Sequence, residues 1–187
     1  MMTLSNILVM PDNDKCPTIE DVAVGLGRIP RFVGQTKRWW PVLLHSMVVY
    51  EMMLSRADDK FIQLHALWHD AHEAVTEDVP TTWKSLELKS AQRELDLRLW
   101  KMLGVQGPYS WQSNLIHELD QEALHAEAFL IGPTKLPAYF GYVGRKPIHL
   151  LSAKRIMREY TSPVSTNGAN SRAVKKFVEL THTLRKT

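Results

Sequence analysis

Apolar residues along this chain return every three or four positions, and no stretch alternates them at every second position. Leu64, Leu67, Trp68, Ala71 and Val75 form one such stripe, on a helix that Asp58 or Asp59 would cap. Thr18 caps another, with Ile19, Val22, Ala23 and Leu26 on one face and Gly27 as its stop. "PVLLHSMVVYEMMLS" opens on Pro41 and turns Leu44, Val48, Val49 and Met52 inward, with His45 on the same side. Further helices are read around Leu88, Ala91, Leu95, Leu99 and Met102, ending at Gly104, and around Leu115, Leu119, Ala123, Ala126 and Leu130, ending at Gly132. Stripes of this period can be buried only against other helices, so the expected fold class is all-α.

At 187 residues the chain suits one domain, expected over residues 1–160. Residues 161–171 are rich in Ser, Thr, Asn, Gly and Pro and read as a linker or loop. Residues 172–187 follow, with Val174, Phe177, Val178, Thr181 and Leu184 at helical spacing among basic residues. They predict a terminal helix that docks on the domain or on a neighbouring subunit.

The charge of +3 is not spread over the chain: residues 172–187 hold five Lys or Arg against one Glu, which leaves the rest at −1. A nucleic-acid partner is therefore not expected. No apolar run is long enough for a membrane span, and "MMTLSNILVMPDNDK" lacks the basic leader of a signal peptide, so the expected address is the cytoplasm. With Cys16 the only cysteine, any metal site must be built from His and carboxylates.

Residues 66–84, "ALWHDAHEAVTEDVPTTWK", concentrate two histidines and four carboxylates. His69 and Asp70 are adjacent, so on a helix their side chains diverge by about 100° and other helices must complete any site. His45 and Asp120 are the candidates, each beside an apolar face. Two imidazoles and two carboxylates suit Mn, Fe, Co, Ni or Zn better than a calcium cage, with positions left for water or phosphate oxygens. A zinc peptidase is not indicated, since its His-Glu-x-x-His motif is missing here. Taken singly, His45 reads more readily as a satisfied core residue and Asp120 as a surface carboxylate, and His65 and His72 read as partly exposed helix residues. Trp39, Trp40 and Trp83 read as packing.

The order of "LLHSM", "WHDAHEAVTEDVPTTWK" and "ELDQEAL" resembles the HD superfamily of metal-dependent phosphohydrolases, closest to bacterial 5′-deoxynucleotidases and phage dATP triphosphohydrolases. Their second motif is similar to His69, Asp70, Ala71, Glu73, Thr76, Asp78, Val79, Pro80 and Lys84 of this chain, with Glu77 where the family often carries Gly. Glu tolerates a positive φ poorly, so this position is the one to inspect. Upstream, Arg31, Phe32, Gly34 and Thr36 match an Arg-aromatic-x-Gly segment that precedes the first metal histidine, and Gln35 stands where many relatives have His.

The resemblance implies an HD-domain helical bundle in which His45, His69, Asp70 and Asp120 hold a divalent transition metal (Co, Mn, Zn, Ni or Fe), with Mg on the substrate phosphates as an option. Glu73 would orient or deprotonate the attacking water, and Asp78 would contact the sugar or the leaving oxygen. Arg31, Phe32, Pro80, Lys84 and His117 would meet the substrate. The expected substrate is a small-molecule deoxynucleotide, with a dATP-preferring dNTP triphosphohydrolase first and a 5′-deoxynucleotidase second. An alarmone hydrolase and a non-catalytic nucleotide-binding regulator are the remaining alternatives. A homo-oligomer, dimer or hexamer, is implied, located in the host cytoplasm if the protein is phage-encoded.

Overall fold

A computed structural model describes residues 17–132, 150–161 and 171–186. The N-terminal segment and all of the linker except Thr161 and Ser171 lie outside the described residues. Among those described, every regular element is helical, so the fold is all-α. No helix among them is long and apolar enough to cross a membrane.

Helix α1 (Ile19–Arg28) starts on a capping box: the Thr18 hydroxyl accepts from the Asp21 backbone at 3.1 Å, and Asp21 accepts from the Thr18 backbone at 2.9 Å. Gly27, expected as its stop, lies inside it and is buried. Gly25 also lies inside, and a Cβ built there would stand 3.1 Å from that of Ala74. Its bare backbone allows the close approach between α1 and the helix that carries Glu73.

Helix α2 (Val42–Met53) is buried at every position except Glu51. The sequence predicts an inward face; the structure instead surrounds α2 with α1, α3 (Lys60–Trp68), α6 (Ser110–Ile131), α7 (Leu150–Tyr160) and α8 (Ser171–Leu184). A helix apolar all round has this as its stable place. Just before α2, Arg31 N–H donates to the Trp40 carbonyl at 2.9 Å and Val42 N–H to that of Ile29 at 3.0 Å. These bonds close the intervening loop and bring Arg31 back against α2. Trp40 is buried there, whereas Trp39 and Trp83 are exposed, Trp83 at 79%, contrary to the expectation of packing.

The predicted single helix from Asp59 to Val75 is broken in two. Asp59 caps α3, accepting from Phe61 N–H at 2.8 Å, but α3 ends at Trp68 and α4 covers only Glu73–Thr76. Trp68 is tied to the terminal helix: its indole Nε1–H donates to Thr181 Oγ1 at 2.8 Å, and its ring lies 5.5 Å from that of Phe177. The terminal helix packs on α1, α2 and α3.

His65 and His72, expected to be partly exposed, are both buried. Both His65 nitrogens face carbonyls, Phe61 at 2.7 Å and Gln106 at 2.9 Å. Helix α5 (Leu86–Leu103) is capped by Ser85 and ends on Gly104 at φ 72°. Its buried residues are Gln92, Leu99, Trp100 and Leu103, so the buried face is rotated from the expected one, and Ala91 is exposed. Contacts decided this: Trp100 lies 4.5 Å from the His65 ring, and Gln92 donates to Thr76 at 2.9 Å.

Thr181→Val keeps the shape of that side chain while leaving the Trp68 N–H buried without an acceptor. The variant should lose about 1–3 kcal/mol in chemical denaturation; an unchanged midpoint would show that the hydrogen bond contributes nothing.

Candidate metal centre

Between α3 and α4 the backbone tightens. Ala71 N–H bonds to the Trp68 carbonyl at 3.0 Å, Glu73 N–H to that of Asp70 at 2.9 Å, and Ala74 N–H to that of Ala71 at 3.2 Å, all three residues apart. A winding of three residues per turn eclipses residues i and i+3. His69 and His72 thus share one side of the turn, and Asp70 and Glu73 share another.

His45 from α2, His69 and Asp70 from this turn, and Asp120 from α6 converge, each offering a ligand atom within 4.8 Å of the others. The two Nε2 atoms are 3.2 Å apart. His45 Nε2 is 3.0 Å from Asp120 Oδ1 and 3.4 Å from Asp70 Oδ2, and His69 Nε2 is 3.2 Å from Asp70 Oδ2. Two donors held about 2.1 Å from one ion at right or tetrahedral angles are separated by about 3.0–3.4 Å. The His69 Nε2–Asp120 Oδ1 separation is wider, at 4.0 Å, and the four residues could together hold a metal ion.

Both imidazoles are oriented through their other nitrogen. His45 Nδ1 lies 2.9 Å from Glu127 Oε1, and His69 Nδ1 2.9 Å from the Ala66 carbonyl. Donation at Nδ1 leaves each Nε2 lone pair facing the common point, as a metal-binding histidine requires. Glu127 has no exposed surface, and its other oxygen is 3.1 Å from Arg31 Nε. Arg31 Nη1 continues to Asp70 Oδ2 at 3.7 Å, and its guanidinium lies 5.6 Å from the Phe32 ring centre. The fork that the sequence offers to phosphate is here directed at Glu127 and Asp70. Glu127 was missed by the sequence reading; its one signal is its place seven residues after Asp120, two turns on and next to buried Ala126.

Glu73 is 3% exposed, with Oε1 3.5 Å from Lys84 Nζ. Asp78 is half-buried and acts electrostatically on both Glu73 and Arg31. Pro80 is exposed at the start of the turn Thr81–Trp83. His117 is largely exposed, its Nδ1 4.0 Å from Asp120 Oδ2. Phe32 is half-buried, with φ 55°.

Burial opposes charge on every group of the cluster, and neighbours decide the outcome. For His45, burial and Arg31 favour the neutral ring, but Glu127 and Asp120 prevail and push it up to about 10. His69 is raised by Asp70 against its burial. Asp70 is held well below the usual carboxylate range, against burial, by His69, His45 and Arg31. Glu73 goes the other way: burial, then Asp70 and Asp78, raise it well above the usual range.

At Glu77 the backbone takes φ 64° and ψ 168°, conformational space that belongs almost entirely to glycine. Glu77→Gly should therefore raise stability by about 1 kcal/mol in chemical denaturation; a loss of stability would show that the Glu side chain is needed there. The raised His45 predicts a second behaviour. Its proton stabilises the metal-free fold fully below about 6.5 and is lost as pH rises through about 10, so a metal ion must displace it at neutral pH. Calorimetry in buffers of different ionisation enthalpy should show about one proton or more released per ion, with affinity rising between pH 6 and 8. A pH-independent affinity would contradict the ligand assignment of His45.

No family model matches the chain. Over 89 residues it is 28% identical to YfdR, an uncharacterized protein of Escherichia coli (strain K12). The match covers 46% of this chain and 47% of that protein, so the chain spans about half the length of the curated relative it matches.

Proposed function

We propose that the protein is an HD-type metal-dependent phosphohydrolase acting on deoxynucleotides, with a dATP-preferring dNTP triphosphohydrolase as the first reading. The observation that carries this is the convergence of His45, His69, Asp70 and Asp120, with both histidine Nε2 atoms turned into the cluster and Glu73 and Lys84 beside them. His45, His69, Asp70 and Asp120 would hold a divalent transition ion, which when bound would supply Lewis-acid polarisation of phosphate and a lowered pKa for nearby water.

Glu73 is the general base. Its burial among carboxylates raises its affinity for a proton, the property by which a carboxylate takes one from attacking water. Lys84 places a positive charge next to that carboxylate and meets substrate phosphate. Asp78 accepts a hydrogen bond from the sugar or passes a proton to the leaving oxygen. Arg31 keeps Glu127 and Asp70 in place and adds positive charge behind the phosphate, with Phe32 against base or sugar. Pro80 and His117 border the substrate path.

The test is hydrolysis of deoxy- and ribonucleoside mono-, di- and triphosphates by metal-supplemented protein, with the phosphate products separated. Triphosphate released chiefly from dATP supports the first reading, and orthophosphate from monophosphates alone supports a 5′-deoxynucleotidase. No turnover with any metal favours a nucleotide-binding regulator. Asp70→Ala should lose ion and activity together. Glu73→Ala should keep the ion at the four-residue cluster and lose activity by about 10²-fold or more; full activity would remove its assigned role.

A further inference from the structure

Two buried ligand-type atoms are left over from this arrangement. His72 is 8% exposed and Glu73 3%, yet neither His72 Nε2 nor Glu73 Oε2 has a hydrogen-bond partner. Buried polar atoms are normally paired, so two orphans on neighbouring residues point to a missing partner. Both atoms are Lewis bases, so one cation would satisfy the two together.

Their surroundings agree. Asp70, His72 and Glu73 each offer a ligand atom within 4.8 Å of the others. His72 Nδ1 is 2.9 Å from Asp96 Oδ1, a carboxylate partner that leaves the lone pair on Nε2, as Glu127 does for His45. The contacts of Asp70 with His45, His69 and Arg31 all run through Oδ2, which leaves Oδ1 for another ligand. Glu73 turns Oε1 to Lys84, which leaves Oε2.

We infer that the protein holds a second divalent cation, ligated by His72, Glu73 and Asp70, with Asp70 bridging it to the first. The inference rests on reading the four-residue cluster as a metal site, because Asp70 is common to both. One nitrogen and two carboxylate donors suit Mn, Fe, Co, Ni or Zn and leave positions for water or phosphate oxygens. A bridged pair stands about 3.5–4 Å apart and clamps a phosphoryl group from two sides. Glu73 would then ligate through Oε2, with Oε1 still facing Lys84. The tight winding after Trp68 sets Glu73 over Asp70, and His72, between them in sequence, completes the set.

The test titrates metal-free protein with Mn²⁺ and follows stoichiometry by equilibrium dialysis and coupling by electron paramagnetic resonance. Wild type should bind two ions per chain with an exchange-coupled spectrum. His72→Leu should bind one, with an isolated six-line spectrum. Asp96→Asn, at a partly exposed position that tolerates the change, should weaken the second ion by about 10–100-fold and leave the first unchanged. This variant also keeps the test decisive should His72→Leu fail to fold. One ion in wild type with an isolated spectrum, or two ions retained in His72→Leu, overturns the second site alone. Zero ions in wild type overturns the four-residue site as well.

Discussion

His45 sits in the first turn of the most buried helix with no exposed surface of its own, and most of the site follows from that. A buried imidazole carrying a proton or facing a metal ion must find its partners inside the protein, because leaving a charge unpaired there costs several kcal/mol. Glu127 supplies the pairing at 2.9 Å and, itself without exposed surface, requires the Arg31 guanidinium at 3.1 Å. Arg31 in turn reaches Asp70. The chain of compensation runs from the first turn of α2 through α6 and the loop before α2 to the turn that carries His69. Each member would be a liability alone, and together they leave two imidazole nitrogens and two carboxylates pointed at one spot.

The second constraint is the place where α3 stops. Trp68 is held by Thr181 and Phe177 of the terminal helix, and Ala74 is pressed against Gly25 of α1. Between these two anchors the backbone winds more tightly than an α-helix. That local change pairs side chains three apart and sets Glu73 beside Asp70 instead of one looser turn beyond His69. The strained φ of Glu77 then turns the chain outward toward Pro80 and Lys84. Strain tolerated at this point is consistent with a backbone path set by what the turn must present.

Much of the candidate site was legible as residue types at spacings. His45, His69, Asp70 and Asp120 could be named because each is a metal-binding type beside an apolar stripe, in an order similar to a known family. Glu127 could not, since a glutamate near the end of a long helix reads as solvent-facing until a neighbour is known. His72 is hidden for the same reason: on a regular helix it shares a stripe with His65 and His69 and reads as partly exposed, whereas the structure buries it. The buried face of α5 was misjudged because period alone does not say which of two adjacent rows meets a partner; the His65 ring and Thr76 decided that.

The sequence by itself determined the all-helical class and several helix ends, because caps such as Thr18, Asp59 and Gly104 act over three or four residues. It also determined which residue types were present to bind a metal. Only the tertiary structure decided that α2 is the central helix, that one predicted helix breaks at Trp68, and which nitrogen of each histidine is free. The reason is range. A cap is a contact between near neighbours, whereas the His45–Glu127 pair joins residues 82 apart in sequence, and burial and electrostatics depend on such distances alone.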